Sequence, residues 1–240
     1  MQNTNLNSVL PGLLALPIAK PVESALERIL GISEVRRVYG ELCESRDTHP
    51  IAEKLLQFLE VTYLAAERDL DQIPRRGPVV MVVNHPFGIL EGAVLATVLR
   101  RARTDVKFLA NGILTAIPEI RDLLIPVDPM GGAIAAQGNR GGLRKALRHL
   151  EQHGLLVIFP AGEVSHFHWR LRAITDSQWN VAVARIVEVA ARRARGLNVV
   201  PAYVDGANSL MFQLLGLLHP RLRTALLART TRRSTRLTRS

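Results

Sequence analysis

From about residue 61 onward, short apolar runs alternate with longer stretches of helical periodicity. Val79-Val80-Met81-Val82-Val83 and Leu155-Leu156-Val157-Ile158-Phe159 are uninterrupted and rich in β-branched side chains. That is the pattern of strands buried on both faces. Val106-Lys107-Phe108-Leu109, Leu124-Ile125-Pro126-Val127 and the run from Val199 to Val204 predict further strands. Between them, Glu91 to Arg101, Gly142 to His153 and Asn180 to Arg193 repeat their apolar residues at helical spacing. Strands alternating with helices of this length predict an α/β fold, with a mostly parallel central sheet flanked by helices.

The first sixty residues read differently. Ser33 is a candidate N-cap for a helix carrying Val35, Val38, Tyr39, Leu42 and Cys43. Thr48-His49-Pro50 breaks the pattern, and a second helix follows with Ile51, Leu55, Phe58 and Leu59 expected on one face. The expected organisation is an N-terminal helical unit over 1–60, able to associate with a membrane, an α/β domain over 61–222, and a basic, disordered tail over 223–240.

At 240 residues with 48 % hydrophobic side chains, the chain can bury a sizeable core. Aromatics at 5 % argue against a stacking platform for single-stranded nucleic acid. The single cysteine, Cys43, excludes an internal disulfide framework and a cysteine-based zinc cluster. The net charge of +10 is concentrated: Arg221, Arg223, Arg229, Arg232, Arg233, Arg236 and Arg239 fall in the last twenty residues, with no acid among them. Such a segment suits anionic partners such as lipid head groups. No run is long enough to span a bilayer, and Val9 to Ala19 is apolar but interrupted by Pro11 and Pro17. The start lacks a positive n-region, so no signal peptide is expected, and the stretch is instead a candidate for lying on a membrane surface.

Three polar clusters follow directly on predicted strands. Asn84-His85-Pro86-Phe87-Gly88-Ile89-Leu90-Glu91 follows the first, Pro160-Ala161-Gly162-Glu163-Val164-Ser165 the fourth, and Asp205-Gly206-Ala207-Asn208-Ser209 the last. Open parallel sheets bind ligands outside the carboxyl ends of their strands. If these strands are parallel neighbours, the clusters converge on one edge. His85 is the candidate general base, because a near-neutral imidazole can take a proton from a hydroxyl or amine and return it. A carboxylate that fixes its tautomer would help, and Glu91 can fold back to do so. A turn histidine bonded to backbone, with Glu91 favouring a helix N-terminus, fits the spacing as well.

Other features have ordinary readings. His166 and His168 lack a third partner for a metal. Ser165 and Ser209 lack a nucleophile elbow. Gly138, Gly141 and Gly142 do not follow a strand in dinucleotide-binding order. Lys107 reads as a strand-edge lysine. Met211 to Leu218 is apolar around most of a short helix and suits either core or lipid.

Asn84-His85-Pro86-Phe87-Gly88 with Glu91, Phe159-Pro160-Ala161-Gly162-Glu163-Val164-Ser165, and Pro201-Ala202-Tyr203 with Gly206, Asn208 and Ser209 together resemble the glycerolipid and lysophospholipid acyltransferase superfamily. The similarity is greatest to its hemolysin-like branch, which includes ornithine-lipid O-acyltransferases. It runs over roughly residues 60–222 and takes in Asp176 and Trp179. The resemblance implies catalysis by His85 oriented by Glu91, with Asn84, Gly88, Gly162, Glu163, Ser165 and Asn208 around the substrate. It also implies no metal and no resident cofactor. Turn amides near Gly88 or Gly162 are candidate donors to a tetrahedral oxyanion.

Two departures from the family pattern matter. The usual acid is Asp with four residues between it and the histidine; here it is Glu91, with five between. The usual Phe-Pro-Glu-Gly-Thr-Arg-Ser becomes Phe159-Pro160-Ala161-Gly162-Glu163-Val164-Ser165, so the arginine suited to a phosphate acceptor is absent. The expected reaction is transfer of a fatty acyl group from an acyl-carrier-protein or acyl-CoA thioester to the hydroxyl of a lyso-lipid, such as lyso-ornithine lipid or a lysophospholipid. The expected location is the cytoplasmic face of the inner membrane, peripherally bound to an anionic surface, with no nucleic acid as partner. Competing readings are a lysophosphatidate or glycerol-phosphate acyltransferase and a non-catalytic basic protein that binds membranes or nucleic acid. The Thr/Ser/Arg-rich end also departs from the expected completion of the domain.

Overall fold

The computed structural model describes residues 39–44, 48–128 and 132–208. The Ser33 cap, the Val9–Ala19 stretch, Ser209, the Met211–Leu218 run and the arginine-rich segment lie outside the described residues. In chain order the elements are α1 (Ile51–Phe58), α2 (Glu67–Asp71), β1 (Val79–Val83), α3 (Ile89–Leu99), β2 (Val106–Asn111), a 3-10 turn (Gly112–Ala116) and α4 (Pro118–Arg121). They continue with β3 (Leu124–Val127), α5 (Gly132–Glu151), β4 (Leu155–Ile158), β5 (His166–His168), β6 (Ala173–Thr175), α6 (Val181–Arg193) and β7 (Asn198–Ala202).

Five strands form one parallel sheet in the order β3-β2-β4-β1-β7. The fold is therefore α/β with a parallel central sheet between helices, as the alternation of runs predicts. Alternate residues of β1 divide the core. Val79, Met81 and Val83 pack with Val106, Phe108, Leu155 and Val157 against Leu95 and Leu99 of α3 and Ala52 and Leu56 of α1. Val80 packs on the opposite face with Leu156 and Ile158 against Ala146 and Leu150 of α5 and Ile186 and Ala190 of α6. Both faces are covered, which is why β1 and β4 carry no polar alternation. β7 lies at the sheet edge, and this permits Pro201, which has no N–H to give a further strand.

Several boundaries move for identifiable reasons. In α1 the buried side chains are Ala52 and Leu56, whereas Phe58 is exposed. The inward face thus sits one residue away from the expected Ile51–Phe58 face. α5 begins at Gly132, ten residues before the expected start, because its first half shows little apolar periodicity. Gly142 explains one of its glycines. A Cβ there would overlap the carbonyl oxygen of Pro126 in β3, so helix and strand approach closely only because the position is bare.

The antiparallel β5–β6 hairpin pairs His166 with Thr175, Phe167 with Ile174 and His168 with Ala173. Nothing in the hydrophobic pattern announces it, since three-residue strands are too short for a legible alternation. Arg103 is another feature without a sequence signal. Its guanidinium is buried, pairs with both oxygens of Asp105, and donates to the carbonyls of Pro74, Gly77 and His153. It ties together the segments entering β1, β2 and β4, at the end of the sheet opposite the polar clusters. The guanidinium also holds the Asp105 carboxyl below its usual range.

Candidate active site

β4, β1 and β7 are consecutive in the sheet and parallel, so their C-terminal ends open onto the same edge. The three polar clusters are brought together there, as expected for parallel neighbours. Asn84 completes the join between β1 and β7. Its side chain donates to the Val204 carbonyl at 2.8 Å and accepts from the Val204 N–H at 2.7 Å. This amide takes the place of a backbone ladder pair, which is why regular pairing of β7 ends at Ala202 rather than at Val204. Asn208 is buried and donates to the Pro86 carbonyl at 2.9 Å, fastening the chain after β7 over the turn after β1.

His85 and Glu91 meet. Nδ1 of His85 lies 2.5 Å from Oε1 of Glu91. The Glu91 side chain is fully buried, and that of His85 is 18 % exposed. Oε1 also accepts from the Gly88 N–H at 2.8 Å and the Phe87 N–H at 3.3 Å. Gly88 makes this possible: at φ 94° it turns the chain from strand into α3, a conformation that side-chain-bearing residues avoid. Glu91 then sits at the third position of the helix and reaches back over its first turn, where the amides and helix dipole favour a carboxylate. Six residues of separation are spanned because the turn and the helix start fold the chain back on itself.

The hydrogen bond also fixes the tautomer. A carboxylate only accepts, so the proton lies on Nδ1 of His85 and Nε2 keeps its lone pair. The ring stacks on Phe159, with centroids 4.3 Å apart and planes at 23°, so the end of β4 holds the imidazole plane. Oriented by one nitrogen, steadied on its face and open at the other nitrogen, His85 has the geometry that a general base requires.

Asp176 is the residue that sequence reasoning left without a role. Its Oδ1 accepts from the His85 backbone N–H at 3.1 Å and from the Ser165 hydroxyl at 2.5 Å, and its Oδ2 accepts from the Trp179 indole at 3.1 Å. The Ser165 N–H in turn donates to the His85 carbonyl at 2.8 Å. The His85 peptide is thus gripped on both sides by the foot of the β5–β6 hairpin. The available signal was that Asp176 is the sole acid between Glu163 and Glu188.

Ser165 is buried with its hydroxyl directed to Asp176. Val164 is buried, while Glu163 is exposed and accepts from the Ser177 hydroxyl. Of the turn amides near Gly88 and Gly162 expected as oxyanion donors, those of Gly88 and Gly162 themselves are committed, to Glu91 and to the Phe159 carbonyl at 3.1 Å. Lys107 donates to the Asp122 carbonyl, away from the joint. Among the described residues, no group of three or more His, Cys, Asp or Glu side chains could hold a metal ion.

A family model described as acyltransferase matches residues 30–227. The chain belongs to this acyltransferase family. Its relatives include a lyso-glycine lipid O-acyltransferase of Bacteroides thetaiotaomicron, 27 % identical over 198 residues. That alignment covers 81 % of this chain and 66 % of the relative, so the chain spans just under two thirds of the relative's length. The match supports the superfamily resemblance drawn from the motifs and does not single out the ornithine-lipid branch. Among the described residues, no helix is long and apolar enough to cross a membrane.

Proposed function

We propose that the protein transfers a fatty acyl group from an acyl-carrier-protein or coenzyme A thioester to the hydroxyl of a lyso-lipid bearing an amino-acid head group, of the lyso-ornithine or lyso-glycine kind. The observation that carries this reading is the His85–Glu91 pair at the C-terminal edge of the parallel sheet. Nε2 of His85 takes the proton of the acceptor hydroxyl while the oxygen attacks the thioester carbonyl carbon. The C–O bond forms, and the tetrahedral oxyanion collapses with cleavage of the C–S bond. The thiolate leaves and takes the proton back from His85. Glu91 orients the ring throughout and stabilises the transient imidazolium. Within that scheme, the residues around the substrate are those of the three strand-end clusters.

The head-group preference is supported by the turn after β4. Val164 stands where a phosphate-binding arginine would be, and Glu163 offers a carboxylate at the surface, suited to an amine. The activity for which the Bacteroides relative is named points the same way. A lipid acceptor and the arginine-rich segment 221–240 support a peripheral position on the cytoplasmic face of the inner membrane.

The test is thioester release by the purified full chain, with products identified by mass, in a competition among lyso-ornithine lipid, lyso-glycine lipid and lysophosphatidate. Acylated amino-acid lipids should predominate. A clear preference for lysophosphatidate would overturn the head-group assignment, and release without any acylated product would overturn transfer itself.

A further inference from the structure

The β5–β6 hairpin does more than hold His85. Its turn, Trp169-Arg170-Leu171-Arg172, contains none of the Gly, Asn, Asp, Pro or Ser residues that ordinarily make turns easy. Arg172 even occupies the left-handed region at φ 51°, where glycine or asparagine is usual. Instead the turn presents two large apolar side chains to water: Trp169 is 71 % exposed and Leu171 65 %. Phe167 and Ile174 pair across the strands, and the Phe167 ring supports Trp169 edge-on at 5.3 Å between centroids. Arg170 and Arg172 are exposed beside them, and no acid occurs from Val164 to Thr175.

We infer that this hairpin tip docks on an anionic bilayer surface, with Trp169 and Leu171 entering the head-group region and Arg170 and Arg172 meeting lipid phosphates. A tryptophan suits that boundary because it is apolar in body and carries one polar N–H. Arginines beside it are attracted to an anionic leaflet, each contributing roughly fivefold in binding. The location gives the contact a purpose. Both feet of the hairpin are bonded to the His85 peptide through Ser165 and Asp176. At ~3.3 Å per residue, strands of this length place the tip roughly 10 Å from that joint. Docking at the tip therefore holds the catalytic edge of the sheet close to where lyso-lipid hydroxyls lie. The purpose rests on the lipid-acceptor reading; the choice of partner rests on the hairpin's own side chains.

Trp169 reports on its own surroundings. In the full chain carrying Trp179→Phe it is the sole tryptophan. On vesicles of phosphatidylcholine with phosphatidylglycerol, its emission should shift to the blue and be quenched by brominated acyl chains. Phosphatidylcholine vesicles alone should give a much weaker response. In the otherwise native chain, Trp169→Ser with Leu171→Ser should lower turnover of vesicle-borne acceptor by about tenfold or more, since burial of a single large apolar side chain is worth at least that factor. Transfer to a water-soluble acceptor should be unchanged. Arg170→Glu with Arg172→Glu should reproduce the vesicle-specific loss. A Trp169 emission unaltered by anionic vesicles and unquenched by brominated chains would overturn the inference. So would a response to an acidic carrier protein but not to lipid. Quenching of Trp169 in a protein that acylates no acceptor would uphold the docking surface and overturn the catalytic reading instead.

Discussion

Replacing Glu91 by glutamine separates the two services that a carboxylate can give to His85. Three donors converge on Oε1, namely Nδ1 of His85 and the amides of Phe87 and Gly88. Oε2 is buried with no hydrogen-bond partner. A glutamine of the same shape must therefore put its carbonyl oxygen at the Oε1 position and its NH₂ at the Oε2 position, because the reverse would face two backbone N–H groups with donors. His85 keeps its Nδ1 proton and its orientation, and only the negative charge is lost. Charged hydrogen bonds contribute ~1.5–3 kcal/mol against ~0.5–1.5 for neutral ones, so the transient imidazolium loses about 1–2 kcal/mol. Turnover should fall roughly 5- to 30-fold. The thermal midpoint should change little, since the charge assistance lost from the Phe87 and Gly88 amide bonds is offset by the lower cost of burying a neutral group in place of a carboxylate with an unpartnered oxygen. The assay is single-turnover thioester release at saturating acceptor, beside the wild type and with circular dichroism to confirm the fold. Unchanged turnover would remove Glu91 from the mechanism. A loss as large as that from deleting the imidazole, in a folded protein, would mean that the glutamine had flipped and the tautomer had changed, contrary to the three-donor argument.

His85→Ala should lower transfer by about 10²–10⁴ with the fold retained, because it removes the base from a turn rather than volume from the core; near-native turnover of the folded variant would exclude His85. Glycines of α5 should respond with opposite signs. Gly142→Ala, which drives a methyl into the Pro126 carbonyl, should cost about 1–3 kcal/mol in urea unfolding. Gly138→Ala and Gly141→Ala, which meet open space, should each stabilise by up to about 1 kcal/mol. Burial holds the His149 imidazole below its ordinary 6.5, with Nε2–H donated to the Leu155 carbonyl at 3.1 Å. The unfolded chain therefore binds this proton first, and the contribution to stability is complete above about pH 6.5 and is lost as pH falls below it. His149→Gln should flatten the dependence of the unfolding midpoint between about pH 7.5 and about pH 5; an unaltered slope would exclude His149 as its source.

Much of this protein was written locally. β1 and β4 are legible because a strand covered on both faces must be apolar at every position, and five consecutive apolar residues meet that demand without reference to anything distant. His85 was legible for a related reason: a histidine immediately beyond a buried strand has few places to go except the sheet edge. Its pairing with Glu91 lies within one turn and one helix start, so spacing could suggest it and the left-handed Gly88 could complete it. Contacts formed between segments far apart in the chain were not legible. Asp176 lies 91 residues from His85, and the Asn84 amide replaces a backbone pair with Val204, 120 residues away. Neither leaves a periodic trace, because a single hydrogen bond constrains one side chain and no pattern around it. The sequence determined which segments become the five strands of the central sheet, which long segments between them become helices, and which polar residues stand at strand ends. The order β3-β2-β4-β1-β7, which makes the three motif-bearing strands neighbours, and the hairpin that grips the His85 peptide were decided only when the packed sheet brought those ends within hydrogen-bonding distance.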